Sequence, residues 1–191
     1  MKVIAFSGSA RKDGNTAIMI KEVFKELEKE GIKTELVQLS GQKINGCIAC
    51  YKCFANKNKR CAVTDDTLNE CIEKMLEADG IILASPTYFA DCSAILKALI
   101  ERSGMTSRAN DDMFKRKVGA AVVAVRRAGA IHVFDTINHF FTIGQMIIVG
   151  SSYWNIGIGR EVGETSKDTE GLQTMTTLGK NMAWLLKKLH G

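Results

Sequence analysis

Cys47-Ile48-Ala49-Cys50-Tyr51-Lys52-Cys53 is followed after seven residues by Cys61, so four of the chain's six cysteines fall within fifteen residues. Thiolates are soft metal ligands, and short spacers bring several of them onto one centre. Three chemistries compete for this stretch. A [4Fe–4S] cluster takes four thiolates; Cys-x2-Cys-x2-Cys is the spacing that wraps three of its corners, and Cys61 would supply the fourth. Structural zinc more often uses two separated Cys-x2-Cys pairs or histidines, and no histidine lies near this stretch. A thiol–disulfide pair would leave two of the four cysteines without a role. The spacing favours the cluster, with zinc and a metal-free thiol set as alternatives. Lys57, Lys59 and Arg60 lie between the third and fourth cysteines. They either offset the charge of a four-thiolate centre and meet an acidic electron donor, or form a solvated loop.

A second group of polar residues runs from Ser7 to Thr16 (Ser-Gly-Ser-Ala-Arg-Lys-Asp-Gly-Asn-Thr), directly before an amphipathic segment. Hydroxyls, one guanidinium and glycines ahead of a helix N-terminus have the chemistry of a phosphate cradle. Neither Gly-x4-Gly-Lys-[Ser/Thr] nor Gly-x-Gly-x-x-Gly is present, so this is not one of the two common nucleotide loops.

The elements that must position these groups follow from periodicity. Strands are predicted at Lys2–Phe6, Thr34–Leu39, Gly80–Ala84, Val118–Val125 and Met146–Gly150. Helices are predicted after Thr16 as far as Gly31, from Thr64-Asp65-Asp66 to about Ala78, from about Cys92 to Ser103, over Ile131–Ile143 and over Thr169–Leu189, with Ser151–Ser166 irregular. Strands alternating with helices predict an α/β fold, a doubly wound five-stranded parallel sheet of order 2-1-3-4-5. Its ligand crevice lies outside the carboxyl ends of strands 1 and 3, where the Ser7–Thr16 loop and Ser85-Pro86-Thr87-Tyr88-Phe89 both emerge. The expected organisation is one domain over residues 1–191, with a cysteine-rich insertion at about 44–63.

Composition narrows the class. At 191 residues, 46% hydrophobic and 25% charged, the chain suits a soluble globular domain. A net charge of +5 is too small and dispersed to argue for nucleic acid. No apolar run approaches a membrane span or a signal-peptide core, so the expected setting is cytoplasmic with reduced thiols. Cys71, beside Leu68, Ile72 and Met75, is expected in the core. Cys92 opens a helix, where the dipole lowers a thiol pKa, yet packing is the favoured role. His132, His139 and His190 are scattered, and no catalytic acid–base residue is identified. Tyr153 and Trp154 are assigned equally to a cofactor cover, a subunit contact or packing.

Ser7-Gly8-Ser9-x-Arg11-x3-Asn15-Thr16 resembles the phosphate loop of the NADPH-dependent FMN reductase and flavodoxin-like family, and Ser85–Phe89 resembles that family's loop against the flavin ring. With Cys47, Cys50, Cys53 and Cys61 added, the resemblance narrows to the iron–sulfur flavoprotein branch and covers essentially the whole chain. It implies FMN in the crevice. Ser7, Ser9, Arg11, Asn15 and Thr16 would hold the phosphate, while Pro86, Thr87, Tyr88, Phe89, Arg127 and Gly129 would surround the ring. The family often has a glycine-rich loop after strand 4; here it reads Arg126-Arg127-Ala128-Gly129. Positive charge there would stabilise an anionic reduced flavin. The resemblance and the apolar residues Val133, Phe134, Phe140 and Phe141 on one helix favour a homodimer or homotetramer. The leading expectation is electron transfer between a ferredoxin-like one-electron carrier, a [4Fe–4S] cluster and FMN. The alternatives are an NAD(P)H-dependent FMN or quinone reductase without a cluster and a flavin-free zinc-binding interaction domain.

Overall fold

The computed structural model describes residues 1–191. In chain order the elements are β1 (Lys2–Ser7), α1 (Asn15–Lys29), β2 (Lys33–Gln38), α2 (Lys52–Asn56), α3 (Leu68–Glu77), β3 (Gly80–Pro86) and α4 (Ala94–Ala109). They continue with β4 (Val118–Val125), α5 (Ala130–Ile143), β5 (Ile147–Ile148), β6 (Ile156–Ile158), a 3₁₀ turn (Glu164–Lys167) and α6 (Thr169–His190). The sheet runs β2-β1-β3-β4-β5, all parallel, with β6 also paired to β4. This is the flavodoxin-like order expected from the sequence.

Strand alternation divides the core into two layers. Ile4, Phe6, Ile81, Leu83, Ala121 and Val123 face α3, α4 and α5. Val3, Ala5, Ile82, Ala84, Ala120 and Val122 face α1 and α6. Strands β1, β3 and β4 are buried on both faces, which explains their unbroken apolar runs. No helix is long and apolar enough to cross a membrane.

Three expectations need correction. The fifth strand is not Met146–Gly150 but two short pieces along β4: Ile147–Ile148 pairs with Val118–Gly119, and Ile156–Ile158 pairs with Val123–Val125. The chain loops out between them, and Asn155 bridges the interruption. Its side-chain amide donates to the Ala121 carbonyl at 2.9 Å, and its own carbonyl accepts from the Val123 N–H at 2.9 Å. The segment 151–166 is therefore partly regular, containing β6 and a 3₁₀ turn. Helix α4 begins two residues after Cys92, because the extended Ser93 backbone donates its N–H to Ser85 Oγ at 2.9 Å. It also runs six residues beyond Ser103. Gly104 lies inside the helix and faces the Phe140 ring.

The apolar residues of α5 are also redistributed. Val133, Phe140 and Phe141 lie in the protein's own core, and Ile131 and Ile143 are the exposed large side chains of that helix. Gly119 shows how tight this layer is, since a Cβ there would lie 2.8 Å from Phe141 Cδ1 and 2.9 Å from Cγ. Gly119→Ala is expected to destabilise the fold by about 1–3 kcal/mol through overpacking. Urea unfolding measures it, and an unaltered midpoint would contradict this packing.

Candidate functional site

Two cavities hold most of the residues that the sequence singled out. The first, of about 230 Å³, lies at the carboxyl ends of β1, β3 and β4. Its walls are Ser9, Arg11, Asn15, Thr16, Pro86, Thr87, Tyr88, Ala124, Val125, Arg126, Gly159 and Arg160. Three guanidinium-bearing residues and no carboxylate line it, so its electrostatics select an anion. Helix α1 starts at this wall with no side-chain cap on its N-terminus. The N–H groups of Asn15, Thr16 and Ala17 find no acceptor within the chain. Orphan N–H groups and the helix dipole together make an anion seat. The fully buried Ser7 Oγ, at the end of β1, also lacks a partner. This donor set fits a phosphate-bearing cofactor.

Local chemistry explains the loop. Ser9 Oγ accepts from the Arg11 N–H at 3.1 Å, folding the chain back on itself. Gly8 must be glycine, because a Cβ there would meet Ser93 Oγ at 2.4 Å and Leu96 Cβ at 2.9 Å. The loop after β1 thus lies directly against the start of α4. Asn15 does more than face the cavity. Its Nδ2 donates to the Glu161 carbonyl at 2.9 Å, and its Oδ1 accepts from the Thr165 N–H and hydroxyl, each at 3.2 Å. Arg11 Nη1 donates to the Arg160 carbonyl at 3.2 Å. Asn15 and Arg11 therefore clamp the 159–165 segment against the crevice.

The residues expected around a ring separate into two sets. Pro86, Thr87 and Tyr88 reach the cavity wall. Thr87 is pinned by its N–H and hydroxyl to the Ala124 carbonyl, at 2.9 and 3.1 Å. Phe89, Arg127 and Gly129 are not on that wall. Reciprocal backbone hydrogen bonds between Tyr88 and Asp91 fold a tight turn, with Phe89 and Ala90 at φ of 48° and 59°. That turn throws the Phe89 ring fully into solvent. Gly129, at φ 86°, packs against Ala90 of the same turn, where a Cβ would come within 3.2 Å. Arg127 is exposed, and its neighbour Arg126 takes the place on the wall. Tyr153 and Trp154 form an exposed edge-on pair away from the cavity. Sequence reasoning missed Ala124, Val125, Gly159 and Arg160. The end of an apolar strand and a polar loop carry no local signal that they share a crevice with residue 9.

The second cavity is small, about 20 Å³, and is walled by Cys47, Ile48, Ala49, Cys50, Tyr51, Cys53, Cys61, Ala62, Val63, Arg102, Met105 and Thr106. All four cysteines of the motif share it. Cys47 and Cys50 are exposed, whereas Cys53 and Cys61 are half-buried. The segment between them is shaped by left-handed residues at Ala49, Tyr51, Lys57 and Lys59, with the short helix α2 in the middle. The sulfurs do not converge: no three His, Cys, Asp or Glu side chains are grouped closely enough to hold a metal ion. The donor set nevertheless fits a soft four-thiolate centre, since no carboxylate or histidine competes on the wall. Partial burial pushes the Cys53 thiol upward. The remaining thiols are structural. Burial raises both Cys71 and Cys92 to about 11.

The comparisons with known proteins show the family to which the chain belongs. The model of the NADPH-dependent FMN reductase family matches residues 1–161. An iron–sulfur flavoprotein of Methanocaldococcus jannaschii is 40% identical over 194 residues, covering 98% of each chain. One of Methanosarcina thermophila is 35% identical over 192 residues, covering 100% of this chain and 97% of its own. Among solved structures, a flavodoxin, WrbA-like protein from Agrobacterium tumefaciens superposes with a TM-score of 0.66 at 15% identity, over 98% of this chain and 97% of that one. The last of these shares the fold. The chain belongs to the NADPH-dependent FMN reductase family, in its iron–sulfur flavoprotein branch, and is a flavin-dependent oxidoreductase.

Proposed function

We propose that the protein binds FMN in the crevice at the ends of β1, β3 and β4, holds a [4Fe–4S] cluster on Cys47, Cys50, Cys53 and Cys61, and passes electrons between them and a ferredoxin-like carrier. The observation that carries this reading is the gathering of all four cysteines on one cavity whose far wall is α4. The same helix also packs against the loop that follows β1 and leads into the crevice. Its first residues abut Gly8, and Arg102 to Thr106, about 12–18 Å further along its axis from Ala94, wall the cysteine cavity.

When bound, FMN supplies one- and two-electron chemistry and the cluster supplies single electrons. The chain supplies placement. The free N–H groups of α1, with Ser9 and Thr16, bind the phosphate, and Arg11 holds the 159–165 segment that closes one side. Pro86, Thr87 and Tyr88 flank the ring. Arg126 brings positive charge to the wall, which favours electron-rich flavin.

Anaerobic purification followed by iron, sulfide and flavin analysis tests the reading. The expected content is about four iron and four labile sulfide per chain with one FMN. FMN without iron would shift the assignment to an NAD(P)H-dependent FMN or quinone reductase, which the family match supports. In that case NADPH bleaches the flavin rapidly without oxygen. Arg126→Ala is expected to weaken FMN binding by about 10–100-fold, the worth of one charge-assisted contact, and to lower the flavin potential. Arg127→Ala should change neither. Unchanged affinity and potential in Arg126→Ala would remove that residue from the site.

A further inference from the structure

Arg102 is the largest fully buried side chain, only 2% exposed. A buried guanidinium needs a full set of acceptors, and Arg102 finds them on both limbs of the cysteine segment. Nη1 donates to the Asn45 carbonyl at 3.3 Å, two residues before Cys47, and pairs with the buried Asp66 carboxylate. Nη2 donates to the Val63 carbonyl at 3.1 Å and to Cys61 Sγ at 3.3 Å. Asp66 closes the loop by accepting from the Asn45 N–H at 3.3 Å. One rigid fork on α4 thus holds the chain before the first cysteine, the chain after the last, and the last sulfur itself. The Asp66, Asn45 and Val63 contacts tie the loop to α4. The contact with sulfur adds a cation beside one thiolate.

We propose that Arg102 is a positioning and tuning residue for the Cys61 thiolate. It fixes that ligand's place and, through a charge-assisted N–H···S bond, favours the more negative, one-electron-reduced state of the centre. This rests on the reading of the four cysteines as cluster ligands. Reduction takes one electron from the ferredoxin-like carrier and neither makes nor breaks a bond. A lysine would keep the charge but lose the fork that reaches four acceptors at once.

The test compares wild type with Arg102→Lys and Arg102→Gln, each purified anaerobically and checked for fold by circular dichroism. In Arg102→Gln the equilibrium constant for cluster reduction should fall at least tenfold, about 59 mV for one electron, with the flavin potential unchanged. Arg102→Lys should fall between the two. A cluster potential equal to wild type with full iron content would reduce Arg102 to a structural ion pair and overturn the proposal. If Arg102→Gln fails to fold because Asp66 is left charged, the double variant Arg102→Gln/Asp66→Asn removes that charge and reads the same potential.

A second readout needs no metal. In the metal-free protein, iodoacetamide should alkylate Cys61 at least tenfold slower in wild type than in Arg102→Gln, because the guanidinium covers one side of a half-buried sulfur, with Cys50 as the internal control. Equal rates would overturn the contact. A wild type without iron or sulfide would instead sink the cluster assignment, and the alkylation rates would still decide the role of Arg102.

Discussion

Cys53→Ser is expected to strip the protein of iron and labile sulfide while leaving about one FMN per chain. A cubane held by four thiolates cannot be retained on three when the replacement is a poor soft-metal ligand. Cys53, like Cys61, is half-buried, and its sulfur sits 4.0 Å from the Met105 carbonyl on α4. The flavin should be unaffected, because the two cavities share no wall residue. Iron and sulfide assays together with the visible spectrum of the purified variant make the measurement. Iron retained at the wild-type level would mean that Cys53 is not a ligand. Loss of FMN together with iron would show that the sites are coupled through the fold.

The second large effect is expected at Asp66, whose removal should cost about 3–5 kcal/mol of stability. Its side chain is completely buried with Arg102, and taking away one partner leaves an uncompensated buried charge. Asp66→Ala also removes the acceptor for the N–H groups of Asn45 and Leu68, at 3.3 and 3.2 Å, so both ends of the cysteine segment lose an anchor. Urea unfolding of the flavin-free protein is the suitable measurement, since bound cofactor would add its own stabilisation. A loss under about 1 kcal/mol would place the pair in the class of exposed ion pairs.

The same residue gives the pH dependence a sign. Burial works against the charge of Asp66, but the bond from Arg102 and the two backbone N–H groups outweigh it and hold the carboxyl below its usual range. A depressed folded-state pKa contributes stability above the unfolded value, about 3.9, and that contribution is lost as pH falls through the folded value. The gap between wild type and Asp66→Ala should therefore be widest at neutral pH and narrow below about pH 4. A gap that widens on acidification would contradict the assignment.

The sheet and both sites were legible from local sequence to different depths. Continuously apolar Gly80–Ala84 and Val118–Val125 read as central parallel strands, and they lie next to one another, with Gly80–Pro86 beside β1 and Val118–Val125 beyond it. The Cys47–Cys61 spacing is local, so its chemistry was readable before any fold was known. What local sequence did not reveal is all long-range. The last strand is interrupted because Asn155 substitutes for a ladder residue opposite Ala121, 34 positions away, and no period in residues 146–158 announces that. Phe89 belongs to the loop that the resemblance sets against the ring, and the turn closed by Asp91 directs its side chain into solvent.

By itself the sequence determined which chemistries are available: four soft ligands in one short segment, an anion-seeking loop before a helix, and a parallel sheet to carry them. Spacing, period and side-chain type are local properties, and these conclusions depend on nothing else. The tertiary structure alone decided who completes each site. Pairing of β6 with β4 carries Gly159 and Arg160 to a crevice begun by Ser9, and Thr165 to Asn15 across 150 residues. The stacking of α4 against the cysteine segment sets Arg102 against Cys61, 41 residues earlier. Burial is what gives that contact its strength, because a guanidinium removed from water must satisfy its donors within the protein.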